Sequence, residues 1–303
     1  MKFYKNYWLY FFISAFFLVP AAVSLIMFGF QPGIDFTGGT LVTVEATEAS
    51  QSGLLTEDNI RGKVDETFKL SSVKQSDDGQ AIIRLAPLEN EQKNELLAQI
   101  NEVVPVTLIS YDSVGATLGG ELIQKTLVAI ALACVFLVIY LRARFSELSF
   151  GMAAFLGVVH DTLIISGIFS LLGAYLGVEV DTLFVTALLT TISFSVHDTV
   201  VIYDRIRELK TRFPQATLTQ NCEAAVTATF SRSLNNSLTV VFMLAALLLL
   251  GGVTLRYFAL ALLLGVIFGT YSSPFVSVPL LLLFADGKKF AQEKKAFKKR
   301  KTK

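Results

Sequence analysis

Cysteine and histidine are scarce in this chain of 303 residues, which contains two of each. Cys134 lies in a strongly apolar run and Cys222 in a polar stretch predicted as a loop, and neither has the neighbouring ligands that a metal site requires. The sequence therefore predicts no disulfide and no metal centre. His160 and His197 stand out for another reason, because an aspartate follows each of them.

Charge is also scarce, since only 17% of the residues are charged and 53% are hydrophobic. This composition excludes an ordinary soluble domain, and six apolar runs reach the ~18–20 residues that a membrane-spanning helix needs. Pro274 and Pro279 are expected to kink the sixth run. The predicted spans are Tyr7–Phe30, Leu122–Leu141, Leu148–Leu172, Thr182–Tyr203, about Ser231–Gly251, and Tyr257–Phe284.

The first span has two interpretations. Lys2 and Lys5 before an apolar core are typical of a cleaved signal peptide, but the apolar stretch continues to Phe30, which is long for such a peptide. We therefore expect a retained anchor. The predicted organisation is residues 1–32 as N-terminus and first span, 33–120 as an exported domain, 121–285 as spans two to six, and 286–303 as a basic cytoplasmic tail.

Lysine and arginine predict the orientation, because they accumulate in short cytoplasmic loops. They follow the second span at Arg142 and Arg144, follow the fourth between Arg205 and Arg212, and fill the tail. Both termini are thus predicted to be cytoplasmic, with the tail bound to anionic lipid. Residues Gly33–Gly120 then lie on the far side of the membrane, where six Lys/Arg against fourteen Asp/Glu give a net charge of −8.

Between Gly33 and Gly120 the apolar pattern becomes short and alternating, as in half-buried strands. Asp77-Asp78-Gly79 is a strong hairpin signal. The order of elements predicts an α+β ferredoxin-like domain. It contains no His and no Cys, which favours a binding or mechanical role over an enzyme. The predicted elements are strands Thr40–Ala46, Ser71–Gln75, Gln80–Leu85 and Val106–Tyr111, and helices 56–68 and Glu89–Val103.

Two glycine-rich joints bracket this domain, at Gly33–Thr40 (GIDFTGGT) and Ser113–Glu121 (SVGATLGGE). Glycine has no Cβ and permits close backbone packing, which favours a hinge where the domain meets the membrane. A phosphate-binding loop would need a following Lys-Ser/Thr, which neither joint has. The predicted hinge residues are Gly33, Asp35, Phe36, Gly38, Gly39, Gly115 and Gly119.

Asp161 and Asp198 lie inside the predicted third and fourth spans. A carboxyl group at membrane depth costs at least ~2.5–3.5 kcal/mol on insertion scales and usually marks an ion or proton path. The alternative is a protonated carboxyl that only hydrogen-bonds neighbouring helices. Both interpretations stay open, and for Asp161, near mid-membrane, the residues do not decide between them.

Arg232 is predicted to pair with Asp198, because the two lie at similar depth. At ~1.5 Å per residue, Asp198 is about 24 Å below Thr182, and Arg232 is about 28 Å below Gly251. The alternative is that Arg232 only reaches the headgroups. An ionised Asp198 would hold Arg232 and a protonated one would release it, so helix packing would respond to protons. His197 is a candidate relay.

The joint at Gly33–Thr40 directly after a first span, together with VHDTVVIYDRIRE at Val196–Glu208, resembles the SecF family. This family is the smaller half of the SecD–SecF protein-export complex, within the resistance-nodulation-division superfamily. The resemblance covers nearly the whole chain and implies that Asp198 carries the coupling proton with Arg232 as its partner. The chain departs from the family pattern at His197, where asparagine is usual, and at Ala116, where a proline is expected.

The resemblance also implies a non-enzymatic subunit of the bacterial cytoplasmic (inner) membrane. A transmembrane H⁺ or Na⁺ gradient, and no cofactor, would drive late steps of protein translocation. The implied partners are SecD, the SecYEG channel, unfolded preproteins and membrane lipid, with no nucleic acid. One alternative is a half-size small-molecule or lipid exporter of the same superfamily. An intramembrane aspartyl protease is disfavoured, because Tyr203-Asp204 has no Gly-x-Gly-Asp partner in the chain.

Overall fold

The computed structural model describes residue 4 and residues 7–48, 53–64, 66–75, 79–145 and 147–285. The chain divides into two units, one formed by Met1–Gln31 with Ala129–Lys303 and the other by Pro32–Val128. Three predicted features lie outside the described residues. These are the basic tail 286–303, the lysines Lys2 and Lys5, and the turn residues Asp77 and Asp78.

The elements follow one another with short connections. Those between the last five long helices are residues 145–147, 177–181, 213–217 and 251–252. In chain order the elements are α1 (Tyr7–Met27), α2 (Ile34–Thr37), β1 (Gly39–Ala46), α3 (Glu57–Arg61), β2 (Leu70–Gln75), β3 (Gln80–Leu85), α4 (Asn90–Val103), β4 (Val106–Val114), α5 (Ala116–Arg144), α6 (Leu148–Leu176), α7 (Thr182–Arg212), α8 (Leu218–Leu250) and α9 (Val253–Ser272).

Six helices are long and apolar enough to cross a membrane, which confirms the predicted number of spans. They are α1, α5, α6, α7, α8 and α9, the last continuing to residue 285. α8 begins earlier than the predicted fifth span, because Thr217 and Gln220 form a capping box at its start. Cys222 therefore lies in this helix and is buried, and its predicted position in a loop is wrong.

Small residues bring the membrane helices close together. A Cβ on Gly167 of α6 would overlap Ala21 of α1, and one on Gly265 of α9 would overlap Thr191 of α7. Close approach of this kind supplies the packing and interhelical hydrogen bonds that hold helices together in lipid, where the hydrophobic effect does not act between them. These glycines therefore fix α6 against α1 and α9 against α7.

The sixth span contains a π-helical turn at Ser273–Ser277, with Pro274 inside it. Proline has no backbone N–H and cannot complete the regular α-helical pattern, and π-helical turns often occur at functional sites. Two tyrosines bond to carbonyls of this turn. Tyr4 donates to the Pro274 carbonyl at 3.0 Å, and Tyr203 donates to the Ser277 carbonyl at 2.8 Å.

The unit Pro32–Val128 contains a four-stranded sheet in the order β2-β3-β1-β4, with every neighbouring pair antiparallel. Val42 and Val44 of β1 and Ile83 of β3 face its core, where they meet Leu96 and Ile100 of α4. The alternating pattern of the strands and the helical face of Leu96 and Ile100 predicted this burial. The order of the elements is the predicted one.

Two of these elements differ in length from their predictions. The helix predicted over 56–68 ends at Arg61, because Gly62 terminates it, and a 3₁₀ turn at Glu66–Phe68 follows. β4 continues past Tyr111 to Val114, because β1 pairs with it up to Gly39. The longer β4 brings its end next to the first glycine-rich joint.

Candidate ion-coupling site

Asp198 lies on α7 where three membrane helices meet. The residue is 8% exposed. Two small clefts reach it, and their walls come from α7, α8 and α9, including Ser233, Asn236 and Thr270. The structure therefore places this carboxyl inside the helix bundle with narrow, partly polar access.

Arg232 does not contact Asp198 as predicted. Within the described residues, no nitrogen of Arg232 lies within the 4.0 Å of an ion pair from the Asp198 carboxylate. Ser233, the next residue on α8, approaches the carboxylate instead, and Arg232 acts on it only at longer range. Successive residues on a helix point about 100° apart, so only one of the two can face α7 directly. Arg232 lines a separate cleft with Asp204 and Glu208.

His197 is exposed and lines one of the clefts that reach Asp198. It is also among the groups that act electrostatically on the Asp198 carboxylate. Asn236 of α8 lines the same cleft. An imidazole, an amide and the Asp198 carboxyl therefore line the same cleft.

Asp161 of α6 bonds to three helices. Its Oδ1 lies 2.9 Å from Nδ1 of His160, and its Oδ2 accepts hydrogen bonds from Ser195 of α7 at 2.7 Å and from Ser272 of α9 at 2.6 Å. The residue is 3% exposed. The hydrogen bonds from Ser195 and Ser272 tie α6, α7 and α9 together through this carboxyl group. Over the part of the chain that the structure describes, no cluster of three or more His, Cys, Asp or Glu residues could hold a metal ion.

The hydrogen bonds of Asp161 continue toward Asp198. Ser273, next to Ser272, bonds to the Ser195 carbonyl at 3.3 Å and to the Thr199 hydroxyl at 2.9 Å. Thr199 follows Asp198 on α7. The polar groups around Asp161 thus reach the residue beside the second carboxyl. Ser272 and Ser273 were missed by the sequence analysis, although polar serines beside Pro274 in an apolar span were a signal.

The polar residues that precede Asp198 separate into two groups. Thr190 and Thr191 bond back to carbonyls of their own helix, at 2.8 Å each. Ser195 bonds across to Asp161 instead. Thr190 and Thr191 thus satisfy their hydroxyl groups within α7, and of these three residues only Ser195 belongs to the carboxylate network.

The first glycine-rich joint is folded. Gly33 is the N-cap of α2, which contains Asp35 and Phe36, and Gly38 ends it with φ of 70°. Gly39 has φ of 138°, and a Cβ there would lie 3.0 Å from the Leu85 carbonyl oxygen. L side chains rarely adopt such φ values, so these two positions favour glycine for backbone reasons.

The second joint packs on the first. Gly115 has open space beside it, but Gly119 lies in the first turns of α5, where a Cβ would come within 2.9 Å of the Gly38 nitrogen and 3.0 Å of the Phe36 carbonyl oxygen. The close approach of two backbones explains glycine at position 119. The structure brings the predicted hinge residues Phe36, Gly38 and Gly119 together.

Comparison with known families gives a consistent result. Residues 93–287 match the family described as "Protein export membrane protein SecD/SecF, C-terminal", and residues 23–49 match the "SecD/SecF GG Motif". The second match contains the first glycine-rich joint. The match over residues 93–287 contains both buried carboxyl groups, Asp161 and Asp198.

Similar proteins carry related names. The "Protein translocase subunit SecF" of Thermobaculum terrenum is 36% identical, over 93% of this chain and 92% of that protein. The SecF of Anaerolinea thermophila is 32% identical over 93% of each. The "Protein translocase subunit SecDF" of Thermus thermophilus is 31% identical over 92% of this chain, which spans only 38% of that longer protein.

Two solved structures are similar to this fold. The crystal structure of SecDF, "a translocon-associated membrane protein" from Thermus thermophilus, matches 93% of this chain and 39% of its own with a TM-score of 0.81 at 30% identity. SecDF "in Super-membrane-facing form" matches 94% of this chain with a TM-score of 0.64 at 30% identity. Coverage and identity are nearly equal, so the two SecDF structures differ in conformation over the matched region.

Proposed function

This chain belongs to the SecD/SecF family of protein-export membrane proteins, and from this we propose that it is an accessory subunit of a bacterial protein translocase, driven by a transmembrane ion gradient. The observation that carries the proposal is a buried, ionisable Asp198 at the junction of α7, α8 and α9, reached by narrow clefts. A carboxyl group at membrane depth is costly and usually marks an ion or proton path.

The proposed coupling step is the binding of one proton or cation by Asp198. An ionised Asp198 attracts Arg232 and a neutral one does not, so α7 and α8 have two preferred arrangements. In the present arrangement Ser233 faces the carboxylate and Arg232 lies in the neighbouring cleft with Asp204 and Glu208. One charge that crosses the membrane delivers about 2.3 kcal/mol per 100 mV, enough to change the populations of two such states.

The unit Pro32–Val128 is proposed to be the exported working domain. Its sheet order β2-β3-β1-β4 supports a ferredoxin-like fold. α5 runs without interruption from Ala116 to Arg144, so it can carry a displacement from the membrane to Gly119 and the first joint. The different conformations of the two SecDF structures support movement in this family.

The proposed partners are SecD, the SecYEG channel, unfolded preproteins and membrane lipid, and no nucleic acid or cofactor takes part. The SecDF relative, in which a region like this chain is part of a longer protein, supports SecD as the direct partner. Both termini are proposed to be cytoplasmic. The role is mechanical, without a chemical reaction on the substrate.

The test compares wild type with Asp198→Asn in inverted membrane vesicles that contain the partner subunits. Release of a translocating preprotein is followed with the gradient intact, with the proton gradient collapsed, and with the sodium gradient collapsed. We expect the gradient to accelerate release by wild type and to have no effect on Asp198→Asn, because asparagine cannot take up a charge.

Glu147→Gln is the matched control. Glu147 lies just before α6, is exposed and pairs with Lys210 near the end of α7. This variant should keep the gradient response. If Asp198→Asn assembles normally and also keeps it, Asp198 is not the coupling group and the proposed mechanism is wrong. The two collapse experiments show whether H⁺ or Na⁺ is the coupling ion.

A further inference from the structure

One buried polar group is not used by the mechanism above. His160 is 7% exposed, and its Nδ1 faces Asp161 at 2.9 Å. Its other ring nitrogen, Nε2, is fully buried and has no hydrogen-bond partner among the described residues. A buried polar atom without a partner costs about 1–3 kcal/mol, so such atoms in native proteins call for an explanation.

The register of α1 against α6 places a second unpartnered group opposite His160. Ser24 of α1 donates a hydrogen bond to Ser170 of α6, an offset of 146 residues, and Gly167 meets Ala21 at the same offset. Two helices that pack in parallel repeat their contacts about every seven residues. Seven residues before Ala21 and Gly167, the same offset pairs Ser14 with His160.

Ser14 has the properties that this register predicts. It is 5% exposed, and its hydroxyl is buried with no hydrogen-bond partner among the described residues. Its polar neighbour is the hydroxyl of Tyr271 on α9, which itself donates to the Tyr10 carbonyl at 3.0 Å. The register of α1 against α6 thus brings Ser14 and the buried His160 ring to the same level of the two helices.

We propose that His160 and Asp161 form a second proton-binding centre inside the helix bundle, in which His160 Nε2 binds the proton and faces Ser14 of α1. The Asp161 carboxylate accepts two serine hydroxyl bonds on Oδ2, so its Oδ1 holds the Nδ1–H of the ring. Nε2 is then the basic atom of a neutral imidazole.

The neighbours of this centre determine its charge. The titratable groups around it are Asp161 on α6, Tyr271 on α9 and Tyr10 on α1. Asp198 on α7 lies beyond Ser195 and Thr199. When Nε2 takes up a proton, the pair changes from one net negative charge to a neutral ion pair, and the contact of α1 with α6 changes with it. The centre does not depend on the role of Asp198.

The small number of histidines makes the centre directly observable. The chain has only two, so His197→Gln leaves His160 as the one imidazole. Full-length protein with ¹⁵N-labelled histidine, in detergent micelles, is titrated by NMR. We expect one imidazole with its proton on Nδ1 at neutral pH and reversible protonation at Nε2 as the pH is lowered. A ring with its proton on Nε2 at neutral pH, or one that does not titrate while the protein stays folded, overturns the proposal.

Variants of the neighbouring residues identify the partners. In Asp161→Asn the titration midpoint should move by about one pH unit or more, because the imidazolium loses its carboxylate partner. Ser14→Ala should move it in the same assay, whereas Ser24→Ala, which removes a different α1–α6 hydrogen bond, should not. Equal midpoints for Ser14→Ala and Ser24→Ala exclude Ser14 as the facing group. Since Ser14→Ala retains Asp161, this result remains informative if Asp161→Asn does not fold.

Discussion

Two buried aspartates with the same His-Asp sequence have different surroundings. Asp161 receives hydrogen bonds from residues of α7 and α9 and lies against His160, whereas Asp198 lies between two clefts beside Ser233. The sequence predicted both as functional candidates but could not distinguish them. The distinction depends on Ser272, which lies 111 residues from Asp161 and on another helix.

These surroundings predict different effects on stability. Asp161→Ala leaves three polar groups without their partner, and at ~0.6–1.7 kcal/mol for each bond within a membrane the loss should be roughly 2–5 kcal/mol. Asp198→Ala removes fewer bonds and a costly buried carboxyl, so stability should change little. Thermal unfolding in detergent compares the two. Equal losses would mean that Asp198 also holds the bundle together.

Gly119 and Gly120 are neighbours on α5, so alanine substitutions at the two positions can be compared directly. Alanine at Gly119 would press against the backbone of Gly38 and Phe36, whereas the position beside Gly120 is open. We expect Gly120→Ala to be neutral or to stabilise the helix by up to ~1 kcal/mol, and Gly119→Ala to lower thermal stability and slow gradient-driven release. If Gly119→Ala and Gly120→Ala have the same thermal stability and the same rate of release, the contact between the two joints does not contribute to function.

At the scale of elements, the π-helical turn Ser273–Ser277 accepts hydrogen bonds from two distant tyrosines, Tyr4 and Tyr203. Burial raises the pKa of the Tyr4 hydroxyl well above its ordinary value, so the phenol stays neutral and donates to the Pro274 carbonyl. A raised folded-state pKa contributes stability that is complete below the unfolded value of about 10 and is lost as the pH rises above it. The hydrogen bond from Tyr4 to the Pro274 carbonyl is therefore unaffected at physiological pH.

Tyr4→Phe tests the contribution of this hydrogen bond to stability. The variant should lose about 0.5–1.5 kcal/mol near pH 7, the usual net contribution of a hydrogen bond, and its stability should fall less than that of wild type above pH 10. Tyr175→Phe is the control, because Tyr175 is exposed on α6. Thermal unfolding from pH 7 to 11 measures both effects. Parallel pH profiles for wild type and Tyr4→Phe would show that Tyr4 is not the buried phenol responsible.

Gly265 of α9 lets this helix approach α7 closely. Alanine at Gly265 would overlap the Thr191 side chain, whereas alanine at Gly151 of α6 would meet only the Leu141 carbonyl at 3.9 Å. Gly265→Ala should move the helices apart and weaken the hydrogen bonds of Asp161 to both, with a loss of ~1–3 kcal/mol from overpacking. Gly151→Ala should be nearly neutral. Thermal unfolding in detergent measures the stability of both variants. An equal loss in the two would contradict the close packing of α7 against α9.

For the whole molecule, long and local patterns were predictable. Six apolar runs gave the spans, and the alternation in Thr40–Ala46 and Gln80–Leu85 gave two strands close to their observed bounds. The predicted pairing of Arg232 with Asp198 is a longer-range attraction and not a direct ion pair, because depth along two helices does not fix their rotation. Ser233 is one residue away and faces the carboxylate instead. Rotation depends on packing, which a single sequence does not record.

The proposed orientation of the chain, with both termini in the cytoplasm, gives a prediction for the whole molecule. Cys134 is exposed on an apolar helix and Cys222 is buried, so neither should react in native membranes, since maleimides attack the ionised thiol and this needs water. An impermeant maleimide added to intact spheroplasts should label Gly53→Cys, whereas Gln215→Cys should need permeabilised cells. Both positions are exposed. The opposite pattern would place the termini outside.

The brevity of the connections has a consequence for proteolysis. The last five membrane helices are joined only by residues 145–147, 177–181, 213–217 and 251–252. Proteases need several residues of extended, accessible chain, and turns this short seldom provide them. A protease that attacks native membranes should therefore leave residues 129–285 as one resistant fragment, while the unit Pro32–Val128 is digested separately.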